Sequence, residues 1–98
     1  MFLVKVTYTA PLGEVDAWRP AHGDWLRELL GRRLLLLAGR RVPLTGGVYL
    51  APDMPADALE GLLATDPYVV NGVAAHEVVA FTPLMAAEGL EGLLEPTG

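Results

Sequence analysis

The chain has 98 residues, 52% of them hydrophobic, and carries 12 Asp and Glu against 7 Lys and Arg, for a formal net charge of −5 at pH 7. That length allows one domain, which buries about 60–65% of its unfolded surface and so supports a single core. The acidic balance argues against a nucleic-acid surface, and the absence of cysteine excludes disulfides, thiolate catalysis and Cys-based zinc sites.

Phe2, Val4, Val6 and Tyr8 alternate with Leu3, Lys5, Thr7 and Thr9, a period of two that predicts a strand over residues 2–9 with one apolar face. Pro11-Leu12-Gly13 breaks it. A helix is then expected with Asp16 as its cap and Pro20 in its first turns, ending near Gly31 with Arg32 and Arg33 beside its negative end. Trp18, His22, Trp25, Leu26 and Leu29 fall on one stripe of that helix at spacings of three and four. A histidine on such a face requires a hydrogen-bonding partner if it is buried. Leu34-Leu35-Leu36-Leu37-Ala38, bracketed by Gly31 and Gly39, reads as a short buried strand, and the two arginine pairs flanking the leucine run read as its charged ends. Arg40 to Gly46 is a loop containing Pro43, and Gly47-Val48-Tyr49-Leu50-Ala51 is a third strand, hairpin-paired with the second. Asp53 is expected to cap a second helix with Pro55 in its first turn and Ala58, Leu59, Leu62 and Leu63 on its buried stripe. Asp66, Pro67 and Gly72 then occupy the N-cap, the first helical position and the position just past the end of one or two further turns. Val73 to Phe81 is the fourth strand, ended by Pro83. Leu84 to Leu94 has weak helical spacing, and Glu95 to Gly98 is expected to fray.

This order predicts an α+β, ferredoxin-like βαββαβ fold, a four-stranded antiparallel sheet with helices on one face. It forms one domain over 1–98, with a core over 1–84 and a C-terminal extension over 85–98. The mean hydropathy of +0.36 is more than a small monomer hides, so a second copy is expected on the bare sheet face, as a homodimer or larger assembly. Met1 leads straight into strand residues without a basic n-region, and the strongly apolar run Leu34 to Ala38 is too short to cross a bilayer. No membrane partner and a cytoplasmic location are therefore expected.

Two residues stand out as a site. His22 alone reads as a satisfied structural histidine and Asp66 alone as a helix cap. The topology, however, lays the second helix beside the first, bringing Asp66 towards His22. A carboxylate on one ring nitrogen fixes the imidazole tautomer and leaves the other nitrogen to take or give a proton. Tyr8, Tyr49 and Tyr68 each carry a hydroxyl for a ligand, and Tyr68 is favoured because it neighbours Asp66. His76 alternates with Ala74, Val78 and Ala80 and reads as a cross-strand or dimer contact. His22 and Asp24 point to different helical faces and make no metal pair, and Gly46-Gly47 is too short for a phosphate loop. Trp18 and Trp25 read as core or interface.

The opening strand, Arg19-Pro20-Ala21-His22 with Leu26 and Leu29, Gly47 opening strand three, Thr65-Asp66-Pro67-Tyr68, Gly72 and Pro83 together resemble the YCII-related (YciI-like) family over roughly Met1 to Leu84. The resemblance implies a dimeric α+β barrel whose active site is a His–Asp pair, carried here by His22 and Asp66. It also implies proton-transfer chemistry without a cofactor or metal, of the dehydrochlorinase or isomerase kind found in a few relatives that act on chlorinated or hydroxylated aromatic breakdown products. One departure bears on the substrate: many members have Gly-Pro after strand two, where this chain reads Ala38-Gly39-Arg40-Arg41. The expected function is that of a small acid–base enzyme on a small organic, aromatic-derived molecule. His22 transfers the proton, Asp66 orients it, and Tyr68 and the backbone near Gly47 contact substrate. The alternative is a non-catalytic small-ligand-binding or dimeric interaction module in which the pair only ties two elements together. A haem- or oxygen-using relative has nothing but the fold behind it.

Overall fold

A computed structural model describes residues 1–94; the expected fraying of Glu95 to Gly98 lies outside the described residues. The alternating residues at the start of the chain form β1 (Phe2–Tyr8), the strand against which the others assemble. It pairs antiparallel with β3 (Gly46–Ala51) on one side and β4 (Ala74–Ala80) on the other, and β2 (Leu37–Arg40) joins the free edge of β3, giving the order β2-β3-β1-β4. Between β1 and β2 run α1 (Leu12–Ala17) and α2 (Arg19–Gly31); between β3 and β4 run α3 (Ala56–Leu63) and α4 (Pro67–Val70). The architecture is the expected α+β, ferredoxin-like one, with each helix of the βαββαβ plan divided in two.

Because side chains alternate along strands, the register assigns every residue to one of two faces. Val4 lies opposite Tyr49 and Val78, and Val6 opposite Gly47 and His76; Ala38 and Arg40 of β2 continue these rows through Tyr49 and Gly47. The helices cover this face. Val4, Val6, Val15, Leu35 and Leu59 have almost no exposed surface and form the core with Leu29, Leu63 and Tyr68. Each such side chain contributes about 1.5–3 kcal/mol of burial. The opposite face carries the row Leu37, Leu50, Leu3 and Val79 across all four strands, with Leu3, Leu37 and Val79 exposed.

Several element boundaries differ from the sequence expectation for identifiable reasons. The first helix does not start at an Asp16 cap. Asp16 lies inside α1 and binds Arg19 across the break at Trp18, whose φ of −104° and ψ of 3° interrupt the helix. Trp18 sits at that break and is exposed rather than on the buried stripe. The second strand begins at Leu37, not Leu34, because Leu34 and Leu35 are used in closing α2. Their amides both donate to the Leu29 carbonyl, and only with the Leu36 amide, 2.7 Å from the Leu50 carbonyl, does the chain join the sheet. Asp53 does not cap the helix: α3 starts at Ala56, and the N-cap position is held by Pro55, whose own backbone is extended at φ −56° and ψ 137°. Ala58 is exposed, leaving Leu59 and Leu63 as the buried positions of α3. From Leu84 to Leu94 the only helical element is a single 3₁₀ turn at Glu91–Leu93, with Gly89 at φ 89° upstream.

The end of α2 carries a testable strain. The Leu34 amide bonds the Leu29 carbonyl and the Arg33 amide the Leu30 carbonyl, at 2.9 and 3.1 Å, the double closure of a helix that turns left-handed at its end. Arg33 occupies the left-handed position, at φ 56°, where glycine is free of the side-chain clash that an L-residue meets. Arg33→Gly is expected to stabilise the fold by about 0.5–1 kcal/mol, seen as a rise of a few degrees in Tm by calorimetry.

Candidate active site

Asp66 first solves a local problem. It stands at the N-cap of α4, where its Oδ1 accepts the Tyr68 amide at 2.9 Å and Pro67 supplies the first helical residue without an amide hydrogen to satisfy. Its side chain is fully buried, and a buried carboxylate needs donors for both oxygens. Three other elements provide them. His22 of α2 places Nδ1 2.8 Å from Oδ1, His76 of β4 places Nε2 3.2 Å from Oδ2, and the Tyr49 hydroxyl of β3 lies 3.4 Å from Oδ2.

Burial alone pushes the Asp66 carboxyl up. The hydrogen bonds of His22 and His76, the His22 charge and the Tyr68 amide outweigh it and hold the group down to about 2. Asp66 is therefore an ionised carboxylate near neutrality, and an ionised carboxylate only accepts. His22 must then carry a hydrogen on Nδ1, and His76 one on Nε2.

That assignment leaves His22 Nε2 as the working atom, and it lies 3.3 Å from the Tyr49 oxygen. Burial, followed by the Asp66 charge, pushes the Tyr49 phenol far up, so its hydroxyl keeps its single hydrogen. With Nε2 bare, that hydrogen has two acceptors within reach, Nε2 at 3.3 Å and Asp66 Oδ2 at 3.4 Å. With Nε2 protonated, the ring donates to the Tyr49 oxygen and the hydroxyl hydrogen turns to Asp66 Oδ2. Tyr49 can thus accompany either protonation state of His22 by rotating one O–H bond.

Aromatic packing fixes the imidazole plane. Tyr68 stacks on His22 with ring centroids 3.8 Å apart and planes 10° apart, and Trp25, one turn further along α2, packs at 5.8 Å. The Trp25 indole donates to Thr65 Oγ1 at 3.0 Å, and Thr65 in turn donates to the Leu62 carbonyl. This chain fastens α2 beside the turn that carries Asp66.

The site opens into a cleft of about 430 Å³ between α2 and the β2–β3 end of the sheet, lined by His22, Tyr49, Tyr68, Gly47, Arg19 and Arg40 among others. The His22 side chain is 12% exposed and that of Asp66 not at all, so the histidine faces the cleft and the carboxylate stands behind it. Gly47 sits where a Cβ would come within 2.8 Å of the Gly39 carbonyl oxygen, and at Gly46 a Cβ would come within 1.8 Å of the Val6 oxygen. Side chains at either position would push β3 from its neighbours. Among the described residues no group of three or more His, Asp or Glu side chains is arranged to hold a metal ion, and no helix is long and apolar enough to cross a membrane.

The structure brings His22 and Asp66 into direct contact, sets Tyr68 against both, and puts Gly47 on the cleft wall. His76, expected as a cross-strand or dimer contact, lies opposite Val6 of β1 and also binds Asp66 Oδ2. Alternation had placed it on the same face as Ala74 and Val78, but its partner is ten residues earlier on another element. Tyr49 stands behind Tyr68 as a candidate in the sequence, and the register opposite Val4 turns it to the pair.

A family model described as the YCII-related domain matches residues 1–82. Among solved structures the chain is similar to a 5-chloro-2-hydroxyhydroquinone dehydrochlorinase from Burkholderia phenoliruptrix AC1100, in complex with 2,5-dihydroxybenzoquinone. The TM-score is 0.68 at 17% identity, over 83% of this chain and 93% of that one. A comparison with curated protein sequences finds no match.

The depressed Asp66 carboxyl carries a pH signature. A carboxyl that titrates lower in the folded chain than in the unfolded one, where it lies near 4, adds stability that is fully present above about pH 4 and is lost as the pH falls towards about 2. Urea midpoints measured from pH 5 down to 2 should fall by an amount equivalent to about 2 kcal/mol from this group. In Asp66→Asn that component should be missing, from a lower starting stability.

Proposed function

The chain belongs to the YCII-related family, and on that premise we propose that it is a cofactor-independent acid–base enzyme acting on a small organic molecule by proton transfer through His22 Nε2. The observation that carries this reading is the division of the histidine. Its Nδ1 is committed to a buried carboxylate at 2.8 Å, while its ring lines an open cleft. A pair serving only to tie α2 to α4 has no need of that opening, and this accessibility favours the enzyme over a purely structural fastening.

In the proposed cycle the substrate lies in the cleft, and bare His22 Nε2 takes a proton from it. The imidazolium formed is stabilised by Asp66, already ionised and already oriented, so little rearrangement accompanies the charge. Tyr49 directs its hydroxyl to Asp66 as the ring gains the proton. Return of the proton to another substrate atom completes an isomerisation; departure of a leaving group with its bonding pair completes an elimination, after which the proton passes to water. Tyr68 holds the imidazole plane and, with the backbone at Gly47, walls the substrate. The similar dehydrochlorinase and its quinone complex support a hydroxylated, ring-sized substrate.

We also propose that the protein works as a homodimer. Leu37, Leu50, Leu3 and Val79 form a continuous apolar row across the sheet face opposite the helices, and a second copy of the same face would cover it.

Turnover assays on chlorinated and hydroxylated quinols, beginning with 5-chloro-2-hydroxyhydroquinone, test the catalytic reading. For any compound converted, His22→Gln is expected to lower kcat by about 10²–10⁴-fold, and Tyr49→Phe, which removes only the rotating hydroxyl, by about tenfold with KM little changed. Full activity in His22→Gln would sink the proposal. Sedimentation of the wild type against Leu3→Glu, which places a charge in the apolar row, should show the dimer dissociating to monomer.

A further inference from the structure

The cleft differs in charge from the molecule that holds it. The chain carries a net charge of −5, yet the residues lining the cleft include Arg19 and Arg40 and neither Asp nor Glu. The two arginines are not equivalent. Arg19 spends its Nε and one terminal nitrogen on Asp16. The Arg40 guanidinium makes no hydrogen bond or ion pair with any other described residue, whereas its neighbour Arg41 bonds Thr7 Oγ1 at 3.1 Å.

The sheet register explains why Arg40 reaches the cleft and Arg41 does not. Arg40 lies opposite Gly47, Gly47 opposite Val6, and Val6 opposite His76, so one row runs from β2 to β4 on the helix-covered face. Arg41 follows with the opposite orientation. Gly47, itself on the cleft wall, stands between the Arg40 end of the row and its centre. The other walls of the cleft are flat or apolar: Tyr68 and Tyr8 meet edge to face with centroids 5.9 Å apart, beside Leu26 and Val6. A volume of about 430 Å³ suits a substituted six-membered ring.

We infer that the cleft selects small planar-ring molecules bearing an oxyanion, with Arg40 as the charge-selecting contact and Arg19 in support. This deepens the proton-transfer reading and rests on it only for its catalytic consequence. A cation beyond the ring also stabilises negative charge that grows on the substrate as His22 removes a proton. Guanidinium suits the task because its planar fork can donate two parallel hydrogen bonds to one carboxylate. Arg40, the last residue of β2, thereby acquires a role in choosing the ligand.

Benzoate and benzamide test the inference, since they share a ring and differ in charge. Each is titrated into the wild-type protein, Arg40→Gln and Arg41→Gln, with NMR signals of the His22 and Tyr68 rings reporting occupancy of the cleft. Arg40 is exposed on the edge strand, so its substitution spares the core. Benzoate is expected to bind about tenfold more tightly than benzamide to the wild type and to Arg41→Gln. In Arg40→Gln most of that preference should vanish, with benzamide affinity unchanged. Equal binding of the two compounds by the wild type, or an undiminished benzoate preference in Arg40→Gln, overturns the inference while leaving the cleft and its proton-transfer role standing. Failure of both compounds to perturb His22 and Tyr68 overturns it as well. An active His22→Gln enzyme with the benzoate preference intact would sink the catalytic reading and leave this one in place.

Discussion

One ionised carboxylate sets the terms for the rest of this small fold. Asp66 is fully buried, and its donors come from α2, β3, α4 and β4. An uncompensated charge in that position would cost several kcal/mol, comparable to the stability of a whole domain of this size. The four elements meet at one point, and the donors they bring there offset that cost. The N-cap that begins α4 and the histidine that faces the cleft are consequences of the same atom pair, so the site and the packing of α2 against α4 are not separable features.

The sheet distributes the remaining tasks by parity. Residues of one parity in β1 and their register partners carry the core, His76, Tyr49 and the cleft wall, and residues of the other parity carry the outer apolar row. Consecutive arginines at the end of β2 are divided the same way, Arg40 to the cleft and Arg41 to Thr7. Glycines at 46 and 47 make this possible, because β3 approaches its neighbours more closely there than any side chain permits. A cleft with positive charge and aromatic walls thus arises in an acidic chain without any cluster of basic residues in the sequence.

Where element boundaries depart from the sequence pattern, a specific local interaction competes with propensity. The leucine run from 34 to 37 has the composition of one buried strand, but its first residues close α2, so only Leu35 is deeply buried and Leu37 lies on the open face. Asp16 and Asp53 both have the chemistry of helix caps. Asp16 is taken by Arg19, and Asp53 stands two residues before Pro55, which itself occupies the N-cap of α3. Asp66, with the same chemistry, does cap its helix, because Pro67 follows it directly.

By itself the sequence determined the elements whose signals are local: the alternation of β1 and β4, the Asp66-Pro67 helix start, the order of strands and helices that specifies a ferredoxin-like sheet, and His22 as a polar group on an apolar stripe that demanded a partner. From these the His22–Asp66 pair was legible, since the topology lays their elements side by side. Only the tertiary structure decided that Tyr49 and His76 join them and that Arg40, not Arg41, faces the cleft. The physical reason is that a strand's register, shifted by a single residue, exchanges its two faces. Register is set by pairing across the sheet, between residues far apart in the chain, and no spacing along the chain records it.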